Sequence, residues 1–274
     1  MIRSETVPGG VALHARRTSS LTVRYLSAGE AQRDSDEGPV RVWYATEEEI
    51  ARVAAHSEGR GTLSDADWAR WERLRMNDDR ERFLAARIIL RYMLSSGTGV
   101  RPAAWRFESD EHGRPHITSP ASHTGKRFSI THTSGLVACA TTYRGDVGVD
   151  AEAHDRESRP MDVARRFFHP AEFACLEACS PEQQRDTFFD VWTLKEAYVK
   201  ALGRGLALPL QRFSFDLSAP PPQLPFETEL GDPSEEWAFA LERPTPRHSV
   251  AVAVRGGRAH LRMTCVTADT LPPE

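Results

Sequence analysis

Residues 39–145 read as strand, helix, strands, and residues 146–267 as strand, helices, strands. That shared order, with no strong residue-level repeat, predicts an α+β protein of two similar lobes facing each other across a cleft. Length agrees, since 274 residues suit one large domain or two modest lobes. A chain of this size buries roughly 70–75% of its unfolded surface and needs no staples. Its composition is globular, 40% hydrophobic and 27% charged.

The elements follow in order. Residues 1–38 are polar and rich in Gly, Ser and charge, and are expected to form a flexible or peripheral arm. Order begins at VRVWYAT (40–46), rich in β-branched and aromatic residues. Residues 64–95 read as helix, opened by Ser64 as N-cap with acids in the first turn and broken near Asn77-Asp78. WRFES (105–109) is a strand before the turn DEHGRPHI. FSITHT (128–133) and LVACATT (136–142) are strands joined at Ser134-Gly135. VGVDAE (147–152) is another strand. Three helical pieces follow, with Pro170 and Pro181 in first turns and Gly203 at a C-terminus. FSFDL (213–217), WAFALE (237–242), SVAVAVR (249–255) and LRMTCVT (261–267) read as strands. SAPPPQLP (218–225) is too proline-rich for a central strand, and 268–274 read as a tail.

Net charge is −4, which gives no global basic field to recruit nucleic acid. Cys139, Cys175, Cys179 and Cys265 form no CxxC, and no HxxxH lies near to complete a zinc set, so they read as reduced core thiols. The N-terminus lacks an apolar signal core and no run approaches 18 apolar residues, so the expected location is cytoplasmic, away from membranes. The arginines between 70 and 91 read first as a solvated helix face.

Chemistry concentrates in two stretches. On a strand, Asp150 and Glu152 of VGVDAEA point to one face, a pairing that suits a hard divalent cation. Alone, such a pair is most often a solvated face. In WTLKEAYVKALGRGL (192–206), Trp192, Glu196 and Lys200 fall four apart and form one ridge on a helix. Glu196 is a third oxygen ligand or a general base, Lys200 one turn on neutralises phosphate, and Lys195 flanks them. Alone, Glu196–Lys200 is an ion pair worth about 0.2–0.5 kcal/mol. The combination of an aligned acid pair with that ridge points to a cation and a phosphate ester.

GVDAE followed by FFHPAEFACLEACSPEQQRDTFFDVWTLKEAYVKALGRGLALPL resembles the signature of the 4′-phosphopantetheinyl transferases, in the larger Sfp-type branch. FSITHTSG resembles the family's upstream Ser-His segment and HGRPHI its Gly-Lys-Pro turn. The resemblance implies two pseudosymmetric α+β lobes with coenzyme A and Mg²⁺ in the cleft. It also implies transfer of phosphopantetheine from coenzyme A to a serine of an apo acyl or peptidyl carrier protein, releasing 3′,5′-ADP. Carried over by motif, Asp150, Glu152 and Glu196 match metal carboxylates, and Glu196 also matches the group that takes the serine proton. A metal-bound water is the alternative base. Lys200 matches a phosphate contact, and Thr131 and His132 the Ser-His pair near the coenzyme A phosphates. Arg114 replaces a lysine, Lys195 is expected with Lys200 at the coenzyme A site, and Arg70 and Arg82 fall near positions that hold the 3′-phosphate. A pseudodimer already supplies both halves of the cleft, so a monomer is expected. The rivals are a binding module without catalysis and a hydrolase of the coenzyme A pyrophosphate.

Overall fold

The computed structural model describes residues 40–143, 145–155, 159–203, 208–217, 237–256 and 262–271. The N-terminal arm, Arg204-Gly205, the proline-rich loop 218–225 and the last three residues lie outside the described residues.

Among the described residues, two larger sheets, a two-stranded hairpin and seven α-helices make an α+β protein. Strands β1 (Arg41–Thr46), β4 (Arg127–Thr133), β5 (Leu136–Thr142) and β9 (Arg262–Cys265) form one sheet in the order β4-β5-β1-β9. Strands β6 (Val147–Ala153), β7 (Trp237–Thr245) and β8 (His248–Arg255) form a second, in the order β6-β8-β7. A separate hairpin pairs β2 (Arg106–Ser109) with β3 (Pro115–Ser119).

Alternation along the strands sets the layers. One face of the first sheet, with Trp43, Val137, Cys139 and Phe128, packs on helix α4 (Asn77–Ser95) through Ile88, Ile89 and Met93. The other face, with Val42, Tyr44, Leu136 and Ala138, meets Val147, Val149, Val250 and Val252 of the second sheet. The far face of the second sheet, with Phe239, Ala251 and Ala253, packs on Leu194, Ala197 and Tyr198 of helix α7 (Pro181–Leu202). The order through the molecule is therefore helix, sheet, sheet, helix.

The expected helix over 64–95 is two helices, α3 (Asp65–Arg73) and α4, parted just before Asn77. Ser64 caps α3 in a reciprocal capping box with Asp67. Helices α1 (Glu47–Ala55) and α2 (Ser57–Gly61) were not read from the sequence, although Ile50, Val53 and Ala54 mark a buried stripe behind three first-turn glutamates. In the second half α5 (Pro160–Phe167), α6 (Pro170–Ala178) and α7 each open with proline, and Gly203 closes α7 at φ +67°.

Four expectations are corrected. Cys175 is exposed and Cys179 half-buried, so neither is a core thiol, whereas Cys139 and Cys265 are buried. The last strand, β9, pairs in parallel with β1, so residues 262–265 complete the first sheet rather than the second half's own. Residues 268–271 are not wholly a free tail, because Leu271 is buried in the core around α4. FSFDL is no strand beyond a single bridge at Asp216. Two of its backbone groups are taken by side chains: Lys195 donates to the carbonyl of Phe213, as it does to that of Leu210 just before the segment, and Glu172 accepts from the Phe215 N–H.

Candidate active site

Two cavities sit where the halves of the chain meet. One, of about 370 Å³, is lined by Arg70, Phe83, Arg87, Ile130, Thr131, His132 and Lys200, among others. The second, of about 280 Å³, is lined by Arg114, Phe128, Ile130, Glu196, Val199 and Lys200, among others. Gly113, Pro115, Ile130 and Lys200 belong to both.

Lys200 reaches this junction because α7 lies hard against β6. A Cβ on Gly148 would stand 2.0 Å from the Ala197 carbonyl oxygen, so only glycine permits that approach. Along the buried stretch 191–200 of α7, Trp192, Glu196 and Lys200 are the partly exposed line, as their spacing of four requires. The ridge divides in function. Trp192 stacks on Phe168 and Phe188, whereas Glu196 and Lys200 face the cavities.

Lys200 Nζ lies 2.6 Å from Asp150 Oδ1 and 3.2 Å from Thr131 Oγ1, and Thr131 in turn donates to the same Asp150 oxygen. Asp150 is nearly buried, and its second oxygen, Oδ2, has no hydrogen-bond partner among the described residues. Burial and the Asp150 carboxylate, with Glu152 adding to them against Lys200, lift the Glu196 carboxyl above its ordinary range. Two carboxylates thus press on Glu196, and one of them, Asp150, carries an orphaned, buried oxygen. That donor set fits a hard divalent cation, which takes carboxylate, phosphate and water oxygens. Among the described residues no three acidic, cysteine or histidine side chains already form a closed cage.

His132 stands at the wider cavity. Partial burial, then Arg82, Lys200 and Arg70, push its imidazole down, with Asp79 opposing. A neutral imidazole among cations is a site prepared for an anion. Arg114 is held by Asp146 at 3.0 Å and packs over Gly203, and its Nη2 is buried without a partner among the described residues.

The structure brings together Arg70, Thr131, His132, Lys200, Asp150, Glu196 and Arg114. Arg82 affects His132 but pairs with Asp79 at 2.6 Å and does not line the cavity wall. Lys195 is a correction. It is fully buried, 2.7 Å from Glu172, and reaches neither cavity, because it lies on the core side of α7. Arg91 is also no surface cation, being buried against Asp67 at 2.6 Å. Arg87 and His112 line cavities that sequence reasoning did not give them. Arg87 shares a helix face with Phe83, and that spacing was the available signal.

Residues 146–254 match the family model described as the 4′-phosphopantetheinyl transferase superfamily. The 4′-phosphopantetheinyl transferase HetI of Nostoc sp. is 33% identical over 195 residues, covering 71% of this chain and 79% of that protein. The chain belongs to the 4′-phosphopantetheinyl transferase superfamily. It is a phosphopantetheinyl transferase in type, and the Sfp-type branch is represented by Sfp of Bacillus subtilis, 32% identical over 143 residues, or 51% of this chain and 60% of that one. A solved holo-[acyl-carrier-protein] synthase from Thermotoga maritima overlaps 41% of this chain and 64% of its own, at 24% identity and a TM-score of 0.33. Within the superfamily match fall Asp150, Glu152, Glu196 and Lys200, whereas Arg70, Arg114 and His132 lie before it.

Proposed function

We propose that this transferase moves the phosphopantetheine arm of coenzyme A to a serine hydroxyl of an apo acyl or peptidyl carrier protein, with Mg²⁺, releasing 3′,5′-ADP. The observation that carries the reading is Lys200, which joins a cationic cavity on one side to an acid set on the other.

Coenzyme A brings several phosphate charges. We assign Arg70, His132 and Arg114 to receive them, and Arg114 Nη2, buried with no hydrogen-bond partner among the described residues, supports that assignment. Lys200 can leave Asp150 for the transferred phosphate and stabilise charge that grows there in the transition state. Asp150, Glu152 and Glu196 would hold Mg²⁺. The ion, when bound, neutralises pyrophosphate charge and eases departure of the 3′,5′-ADP. A serine hydroxyl attacks poorly without a base in reach. Glu196, which lines the cavity beside Lys200, is the side chain we assign to accept that proton.

The acceptors we propose are acyl or peptidyl carriers of nonribosomal peptide, polyketide or siderophore assembly, acidic proteins that a local basic patch would meet. The working form we propose is a cytoplasmic monomer. No described helix is long and apolar enough to cross a membrane. A binding module without catalysis is less well supported, because the acid set and Lys200 are intact.

The test is intact-mass spectrometry of an apo carrier protein incubated with this protein, coenzyme A and Mg²⁺. One phosphopantetheine should be added, and EDTA should abolish the gain. Release of free phosphopantetheine without modified carrier would instead establish a hydrolase.

A further inference from the structure

Strand β4 is the edge of the first sheet and β6 the edge of the second. An edge strand carries backbone groups that need partners. Among the described residues the two edges are not joined by strand pairing. They are joined by side-chain hydroxyls from alternate β4 residues, Ser129, Thr131 and Thr133, which share one face. Ser129 Oγ accepts from the Val149 N–H at 3.0 Å, and Thr133 Oγ1 accepts from the Ala153 N–H at 3.2 Å. Between them Thr131 turns to the chemistry, donating to Asp150 and accepting from Lys200.

We propose that Ser129 and Thr133 are positioning residues that fix the register of β6 against β4. Resting on the coenzyme A and Mg²⁺ reading above, this gives them a task in transfer. They hold the carboxylates of Asp150 and Glu152, on β6, at a set offset from His132, on β4. Two anchors bracket the acid pair, one on each side, so β6 can neither slide nor tilt along the seam. The hydroxyl is the working group: valine at 133 keeps the shape of threonine but leaves the Ala153 N–H unpaired. Neither residue need touch the substrate.

The experiment compares wild type with Thr133→Val, Ser129→Ala, the double variant and the conservative Thr133→Ser. Coenzyme A affinity, Mn²⁺ affinity in the presence of coenzyme A by electron paramagnetic resonance, and steady-state transfer to an apo carrier are measured. A misplaced acid pair should cut kcat by about tenfold to a hundredfold. Mn²⁺ affinity should weaken, coenzyme A affinity should hold, and Thr133→Ser should restore both kcat and Mn²⁺ binding. Should the double variant fail to fold, the single variants carry the same comparison. Variants that lose only melting temperature, with wild-type kcat and Mn²⁺ affinity, overturn the proposal. A wild-type protein that binds neither coenzyme A nor Mn²⁺ overturns the parent reading and this one with it.

Discussion

Adjacent residues on one helix turn can have opposite fates, and Lys195 and Glu196 illustrate this. Glu196 lies on the partly exposed line of α7 and faces a cavity; Lys195 points into the core and pairs with Glu172. Both charges of that pair are disfavoured by burial, which pushes Glu172 up and Lys195 down. Removing one partner leaves the other buried and uncompensated. Lys195→Met should therefore cost about 3–5 kcal/mol, read by chemical denaturation, with coenzyme A affinity intact in whatever fraction folds. Glu196→Gln should behave in the opposite way. The fold and coenzyme A binding should persist, and transfer should fall about 10²–10⁴-fold in steady-state kinetics; wild-type turnover by this variant would remove Glu196 from the mechanism. The sequence made the chemistry of the ridge legible because helical spacing is rigid. It did not separate Lys195 from the site, because a motif gives proximity along the chain and not the direction of a side chain. Nor did it reveal Arg87, whose charge alone reads as solvated.

At the scale of elements, the contact between β6 and α7 decides where the acids and Lys200 meet. Gly148 allows the two backbones to touch, and any Cβ there collides with backbone atoms that have no room to yield. Gly148→Val should push α7 off the sheet, lowering the melting temperature and raising the Mg²⁺ needed for half-maximal transfer. A variant with wild-type values for both would show that the close approach is dispensable. Most strands and the three helices of the second half were legible from alternation, proline and capping residues. FSFDL was not, because the alternation of a strand was present while its hydrogen-bonding groups had been claimed by Glu172 and Lys195. Helices α1 and α2 were missed because they are short and α2 holds two of its five residues as glycine.

The whole molecule adds a dependence on acid. Burial works to raise the Asp67 carboxyl, but Arg91 and the Ser64 hydrogen bonds together outweigh it and hold the pKa below its ordinary value. The unfolded chain then binds the proton more readily than the folded one. Stability from this group is complete above the unfolded aspartate value, about 3.9, and is lost as pH falls through the folded value. Asp67→Asn should lower stability near neutral pH and flatten its decline in acid, measured as melting temperature against pH. Equal slopes in both proteins would remove Asp67 from the acid limb.

The return of β9 to the first sheet has a further consequence. During synthesis the first sheet stands without its outer strand until the last residues of the described chain have left the ribosome, since Arg262–Cys265 must pair with Arg41–Tyr44. The halves are thus tied in time as well as in space. A premature stop codon upstream of β9 would harm the half already made, and two separately expressed fragments cut at residue 145 would each lack something the other carries.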